Sequence, residues 1–228
     1  MGKEYLIKFS RKEAYSDDLI KGDLYMNAAG YYHYLEAGQG DPCEGNLYGN
    51  SAIYRNLGRP IYCMYTVYDF DIHSDGIHIP NRIIMDFCGS DGWLVLTPYQ
   101  QFKALLLQNK NGFEGYAYQF GEVTYKTLSI EDLNDFISSE KMDNLFAKHP
   151  FFRYQHEFRI AVGANLPCRY DRMELNGQIA KCIDRSQPYE SKTFNIGSLE
   201  KIAKKIRIAD LQYCDGYYLL GSNPFEQE

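Results

Sequence analysis

Apolar positions in this chain come in short blocks bounded by Gly, Pro, Asn and Asp, the punctuation of strands and short helices. Tyr5-Leu6-Ile7-Lys8-Phe9 reads as a first strand. Ser10 and Glu13 then form a capping-box pattern for a helix that Gly22 ends. Leu24-Tyr25-Met26 is a short strand, and Asn27 is placed to cap a second helix through Tyr34, Leu35 and Glu36, closed by Gly38. Ile61 to Val67 is a strong strand, Asn81 to Phe87 a weaker one, and Gly92 to Leu96 another. Thr97 and Pro98 open a helix with Phe102, Leu105 and Leu106 on one side. Gly121 to Tyr125 reads as a strand, and Ser129 with Asp132 as the cap of a helix carrying Ile130, Leu133 and Ile137 inward. Late in the chain Ser198 precedes Leu199, Ile202, Ala203 and Ile206 at helical spacing, with Lys201, Lys204, Lys205 and Arg207 facing water; Tyr217 to Leu220 is a last strand.

The segment Arg153 to Val162 carries the most chemistry. As a strand it places Tyr154, His156, Phe158, Ile160 and Val162 on one face. The other face carries Gln155, Glu157, Arg159 and Ala161, so an amide, a carboxylate and a guanidinium stand in a row. Such a row either holds a polar ligand or is a solvated face with an ion pair; buried, each group would need a partner.

Strands and helices mix without a regular βαβ beat. This predicts an α+β fold with a mixed, largely antiparallel sheet and flanking helices. The 228 residues show no Pro/Gly/Ser-rich linker, so one domain over 1–228 is expected. Composition is ordinary for a globular chain apart from 21 Tyr against one Trp, enough to line a groove for flat polar rings. A formal charge of −6 with no long basic run argues against general nucleic-acid binding. No apolar run is long enough to cross a bilayer, and Met1-Gly2-Lys3-Glu4 opens no signal-peptide core. The cysteines at 43, 63, 88, 168, 182 and 214 form no close pair, which fits reduced thiols in a cytoplasmic protein and no metal centre.

Phosphate-binding glycine loops and the Gly-x-Ser-x-Gly elbow are absent. His73 and His78 flank a glycine turn and would need distant help to hold a metal. Asp41-Pro42-Cys43-Glu44-Gly45 sets two carboxylates in a stiff loop, where Asp41 suits an Asx-turn and Glu44 could anchor Arg159 or Arg153.

Three features taken in order resemble a group of uncharacterised bacterial proteins of mobile elements and defence islands. They are the Tyr-x-x-Lys-Phe strand at Tyr5 to Phe9, the loop Gly40-Asp41-Pro42-Cys43-Glu44, and the strand Tyr154 to Arg159. The likeness spans about residues 5–162 in loose order. The loop departs from the group's Asn-Asp-Pro-Phe-Glu at Gly40 and Cys43. The Gln-x-Glu pair is also similar to the catalytic motif of mono-ADP-ribosyltransferases, which implies an ADP-ribosyltransferase-like split sheet and NAD as substrate.

By that likeness Glu157 would stabilise the oxocarbenium-like ribose as nicotinamide leaves, and Gln155 would position the acceptor. Lys8 would grip a phosphate of NAD, Thr66 would end a middle strand beside the cofactor, and Tyr25, Tyr31 and Tyr32 would stack on nicotinamide. Arg159 would brace Glu157 or the ligand. The implied function is NAD-dependent ADP-ribosyl transfer to a protein or nucleic-acid acceptor, in phage defence or as a toxin. Two rivals remain open. One is a Mg-dependent nuclease or phosphoesterase built on Asp41, Glu44 and Glu157. The other is a non-catalytic sensing or interaction module in which Glu157 and Arg159 form a structural pair.

Overall fold

The computed structural model describes residues 2–35, 56–127, 142–175, 178–183, 188–221 and 225. The first half runs β1 (Lys3–Ser10), α1 (Glu13–Ile20), β2 (Asp23–Ala28), β3 (Pro60–Tyr68), β4 (Ile72–His73), β5 (Gly76–Pro80), α2 (Asn81–Phe87), β6 (Trp93–Pro98) and α3 (Tyr99–Gln108). The second half is mostly strands: β7 (Tyr118–Glu122), β8 (Thr124–Tyr125), β9 (Ala147–Lys148), β10 (Glu157–Val162), β11 (Tyr170–Leu175), β12 (Gln178–Ile183), β13 (Ser191–Asn195), β14 (Lys204–Arg207), β15 (Gln212–Cys214) and β16 (Tyr217–Gly221). The fold is α+β with largely antiparallel sheets, as the pattern of elements predicts.

Among the described residues, eight strands form the main sheet. Its principal path is β13-β2-β3-β1-β6-β14, and β10 and β7 extend from β3. β3 is therefore a branch point. One edge ladders with β10 over Ile61 to Tyr65. The opposite edge is shared, β1 taking Tyr65 to Tyr68 and β2 taking Pro60 and Ile61. Between them, at Tyr62 to Met64, the sheet forks. Three neighbours can use one strand because β3 is a nine-residue apolar run, PIYCMYTVY, long enough to be divided along its length.

Both faces of the central strands are buried. Leu6, Tyr62, Met64, Val95, Phe158, Ile160 and Val162 pack under Leu19 of α1 and Phe102 and Leu106 of α3. Ile7, Phe9, Tyr65, Val67, Leu94 and Leu96 pack against Ile83 and Ile84 of α2 and Ile77, Ile79 and Leu220 of a smaller sheet, β15-β16-β5-β4. This is why the apolar residues of β1 do not simply alternate: Leu6 and Ile7 point to opposite faces and each meets a core. A third cluster joins Ala29, Ile61 and Ala161 to Met142, Leu145 and Phe146.

Several local expectations are corrected. Ser10 ends β1 opposite Trp93 and is buried, so Lys12 takes the N-cap of α1 without a side-chain bond. Gly22 does follow α1 with φ +96. Asn27 is laddered to Ser191 and Ile61 inside β2, and a 3-10 turn, Ala29–Tyr34, replaces the helix it was to cap. Asn81 to Phe87 is helix α2, because Ile83, Ile84 and Phe87 meet one core at helical spacing. Thr97 belongs to β6 opposite Leu6, and Pro98 is the N-cap of α3. Gly121 to Tyr125 is divided: Tyr118 to Glu122 ladders with β10, while Thr124 and Tyr125 pair in parallel with Ala147 and Lys148. Leu199 begins a turn, and Lys204 to Arg207 is strand β14 on the edge of β6, not a helix. Tyr217 to Leu220 is a strand, as expected, but it lies inside the smaller sheet between β15 and β5. The 38–45 loop, with Asp41 and Glu44, and the helix expected from Ser129 lie outside the described residues.

Candidate functional site

The polar row is assembled by a turn, a kink and a strand. His149 precedes the 3-10 turn Pro150–Gln155, with Pro150 at its first position, and its Nδ1 accepts the Phe151 N–H at 3.2 Å. The turn ends at His156, whose φ of 39° and ψ of 50° are left-handed. A non-glycine residue there costs roughly 1–2 kcal/mol. Ring packing offsets it: His156 stacks on Tyr65 at 5.5 Å between centroids and meets Tyr68 edge-on at 5.3 Å. Only then does β10 begin. Tyr154 and His156 consequently leave the Phe158 face expected of them and pack beside Tyr65.

From Glu157 onward alternation holds. Glu157, Arg159 and Ala161 stand opposite Tyr65, Cys63 and Ile61. That face is covered by the Met142–Lys148 segment, and all four polar members are buried: Lys148, Gln155, Glu157 and Arg159 are 5%, 4%, 6% and 0% exposed. Arg159 Nε donates to Glu157 Oε1 at 2.8 Å, with Nη2 on the same oxygen at 2.5 Å. Its Nη1 donates to the Leu145 carbonyl. Lys148 Nζ donates to Glu157 Oε2 at 3.1 Å and to Gln155 Oε1 at 2.8 Å. The Tyr125 hydroxyl accepts the Glu157 N–H at 2.9 Å. Burial alone would raise the Glu157 pKa, but the charges of Arg159 and Lys148 outweigh it and hold the carboxyl well below the usual range. The arrangement holds an ionised carboxylate firmly. It is poorly suited to donating a proton or to meeting a new positive charge, because two cations already occupy both oxygens.

Lys8 lies on the other side of the sheet, at the fork. Its Nζ donates to the Cys63 carbonyl at 2.8 Å and stands 4.2 Å from the Tyr62 ring centroid. Desolvation lowers its pKa despite the nearby Glu157 carboxylate. Thr66 is fully buried two positions from Met64, on the face opposite Glu157, and its hydroxyl has no hydrogen-bond partner among the described residues. Tyr25, on β2 opposite Thr193, is 53% exposed. Tyr31 and Tyr32 meet edge-to-face at 5.6 Å in the turn after β2. Burial, with Tyr25 and Tyr15 close by, raises the Tyr31 pKa. Tyr32 and Cys63 border the cluster of Ile61 and Ala161.

The structure thus joins Gln155, Glu157 and Arg159, while Tyr32 packs with Tyr31 and the apolar Ile61 and Ala161 cluster. It puts Lys8 at the fork, and Thr66 and Tyr25 elsewhere. Lys148, Tyr125 and Cys63 are members that sequence reasoning missed. Cys63 was accessible through strand alternation once its pairing with Arg159 was known. Lys148 gives no local signal, since a lysine before a proline-led turn reads as solvated. Among the described residues no group of three or more His, Cys, Asp or Glu could hold a metal ion, and no helix is long and apolar enough to cross a membrane. Comparison with family models, curated proteins and solved structures finds no match to this chain.

Proposed function

We propose that this chain is a binding module that recognises a partner without transforming it, and that the Lys148–Gln155–Glu157–Arg159 cluster is its internal brace. The carrying observation is that Glu157 has Oε1 on Arg159 and Oε2 on Lys148 while nearly enclosed. A carboxylate neutralised in this way ties the 142–155 segment to the sheet. It contributes little field to a sugar cation forming elsewhere.

A second reading, NAD-dependent ADP-ribosyl transfer to a protein or nucleic-acid acceptor, draws support from the forked sheet. The divergence of β1 from β2 suits an ADP-ribosyltransferase-like split, and Lys8 stands in it with an ammonium suited to a phosphate. The defence-island resemblance and a cytoplasmic setting belong to this reading. It requires Glu157 to be released from Arg159 when NAD binds.

One comparison separates the two: wild type and Glu157→Gln, each followed by thermal melting and by nicotinamide release from labelled NAD. The binding-module reading expects a large loss of melting temperature and no release from either protein. Release by wild type, abolished in a variant that melts normally, would instead establish the transferase.

A further inference from the structure

We propose that Arg82, Met85, Phe151 and Tyr154 form a docking surface for a segment of another protein that presents a carboxylate beside an apolar side chain. This deepens the binding-module reading and rests on it.

Two elements build the surface. On α2, Arg82 and Asp86 are one turn apart, with Arg82 Nε 3.7 Å from Asp86 Oδ2. The same Oδ2 accepts the Tyr154 hydroxyl at 2.8 Å, so one carboxylate links α2 to the 150–155 turn. The Arg82 guanidinium carbon then lies 3.6 Å from the Tyr154 ring centroid and 5.7 Å from that of Phe151. Stacking has already restricted Arg82, so less freedom is lost when a ligand binds.

The patch is nonetheless open. The Arg82 side chain is 56% exposed, Phe151 63% and Met85, three residues along α2, 54%. Single exposed apolar residues need no explanation, but here two rings of the 150–155 turn pack on one arginine, and exposed Met85 lies one turn along the same helix. Arg, Tyr, Phe and Met are also the residue types enriched where proteins meet.

Charge selects the occupant. The whole chain is formally −6, yet this surface sets a guanidinium above an apolar floor, and exposed Arg153 stands on the same turn. Its carboxylate, Asp86, is engaged beneath by Tyr154 and Arg82. A partner's Asp or Glu can pair with the guanidinium fork while a neighbouring Leu or Phe covers Phe151 and Met85.

The test uses the full chain and a fluorescein-labelled dodecapeptide alternating Glu with Leu and Phe, with a Lys-for-Glu counterpart as control. Fluorescence anisotropy should show binding of the acidic peptide only, weakening as salt rises. Arg82→Lys and Phe151→Ser should each weaken it about tenfold with unchanged melting. Should Arg82→Lys melt early through loss of its link to Asp86, Met85→Ser carries the same expectation without touching that link. Equal binding by wild type and all variants, equal binding of the basic peptide, or no binding of the acidic one would overturn the surface. So would a wild-type dimer in sedimentation that Phe151→Ser dissolves, since the occupant would then be a second copy. No acidic-peptide binding with no nicotinamide release removes this surface alone. Nicotinamide release that Glu157→Gln abolishes removes the binding-module reading, whatever the peptide does.

Discussion

Lys148 and Glu157 meet at 3.1 Å although a proline-led turn and a left-handed histidine separate them along the chain. Together with Arg159 they form a buried charge cluster, and buried clusters respond asymmetrically to substitution. Removing one partner strands the others, whereas an apolar replacement of the whole set can be nearly neutral.

Glu157→Gln should therefore destabilise the fold by about 3–5 kcal/mol, because it leaves buried Arg159 and Lys148 without their counter-charge. Urea denaturation measures this directly. A loss below about 1 kcal/mol would place the carboxylate in solvent contact and refute the bracing role.

Acid should erase that difference. The folded pKa of Glu157 lies below its unfolded value, so its contribution is complete above the ordinary carboxyl pKa of 4.5 and is lost as pH falls through the folded value. Wild type and Glu157→Gln should converge in stability as pH drops below about 4. Curves that remain parallel would show that the carboxyl is not depressed.

His156 governs a separate window. Burial lowers its pKa below the usual 6.5, outweighing the attraction of Asp71 and Glu122. The unfolded chain thus binds the proton first, and stability falls as pH drops from about 6.5 toward the folded pKa. His156→Asn keeps a residue tolerant of left-handed backbone and removes the titration. It should flatten the stability profile below the ordinary imidazole pKa of 6.5, measured by melting at successively lower pH; a profile that keeps its slope would refute the buried-histidine origin.

Lys8→Met should cost about 1–3 kcal/mol, since the Cys63 carbonyl at the fork loses the ammonium that it accepts from. Amide exchange should then accelerate along Tyr62 to Met64 more than in β10. Uniform acceleration through the whole sheet would argue against a local role at the fork.

Gly22→Ala should destabilise by more than about 1 kcal/mol. The residue has φ +96, and an added Cβ would drive into the Gly197 carbonyl. A thermal melt unchanged from wild type would disprove that close approach.

Much of the architecture was legible in local pattern. Tyr5–Phe9, Leu24–Met26, Ile61–Val67 and Trp93–Leu96 are strands because their apolar density suits no exposed alternative. The facing of Glu157, Arg159 and Ala161 follows from strand geometry alone. Where two periods fit the same residues, local pattern failed. Ile83, Ile84 and Phe87 suit a helix as well as a strand, and α2 forms because its surroundings offer a core and not a ladder. Leu199, Ile202 and Ile206 carry helical spacing, yet Lys204 to Arg207 is drawn to the open edge of β6.

The sequence by itself determined the α+β character and the presence of a Gln-Glu-Arg row, because propensity and alternation act between near neighbours. Only the tertiary structure decided that the row is enclosed, that Lys148 completes it, and that β3 divides its edge between β1 and β2. Those outcomes depend on contacts between residues far apart in the chain, whose favourable energy appears only once the intervening segments have closed. No local pattern of side chains can specify them.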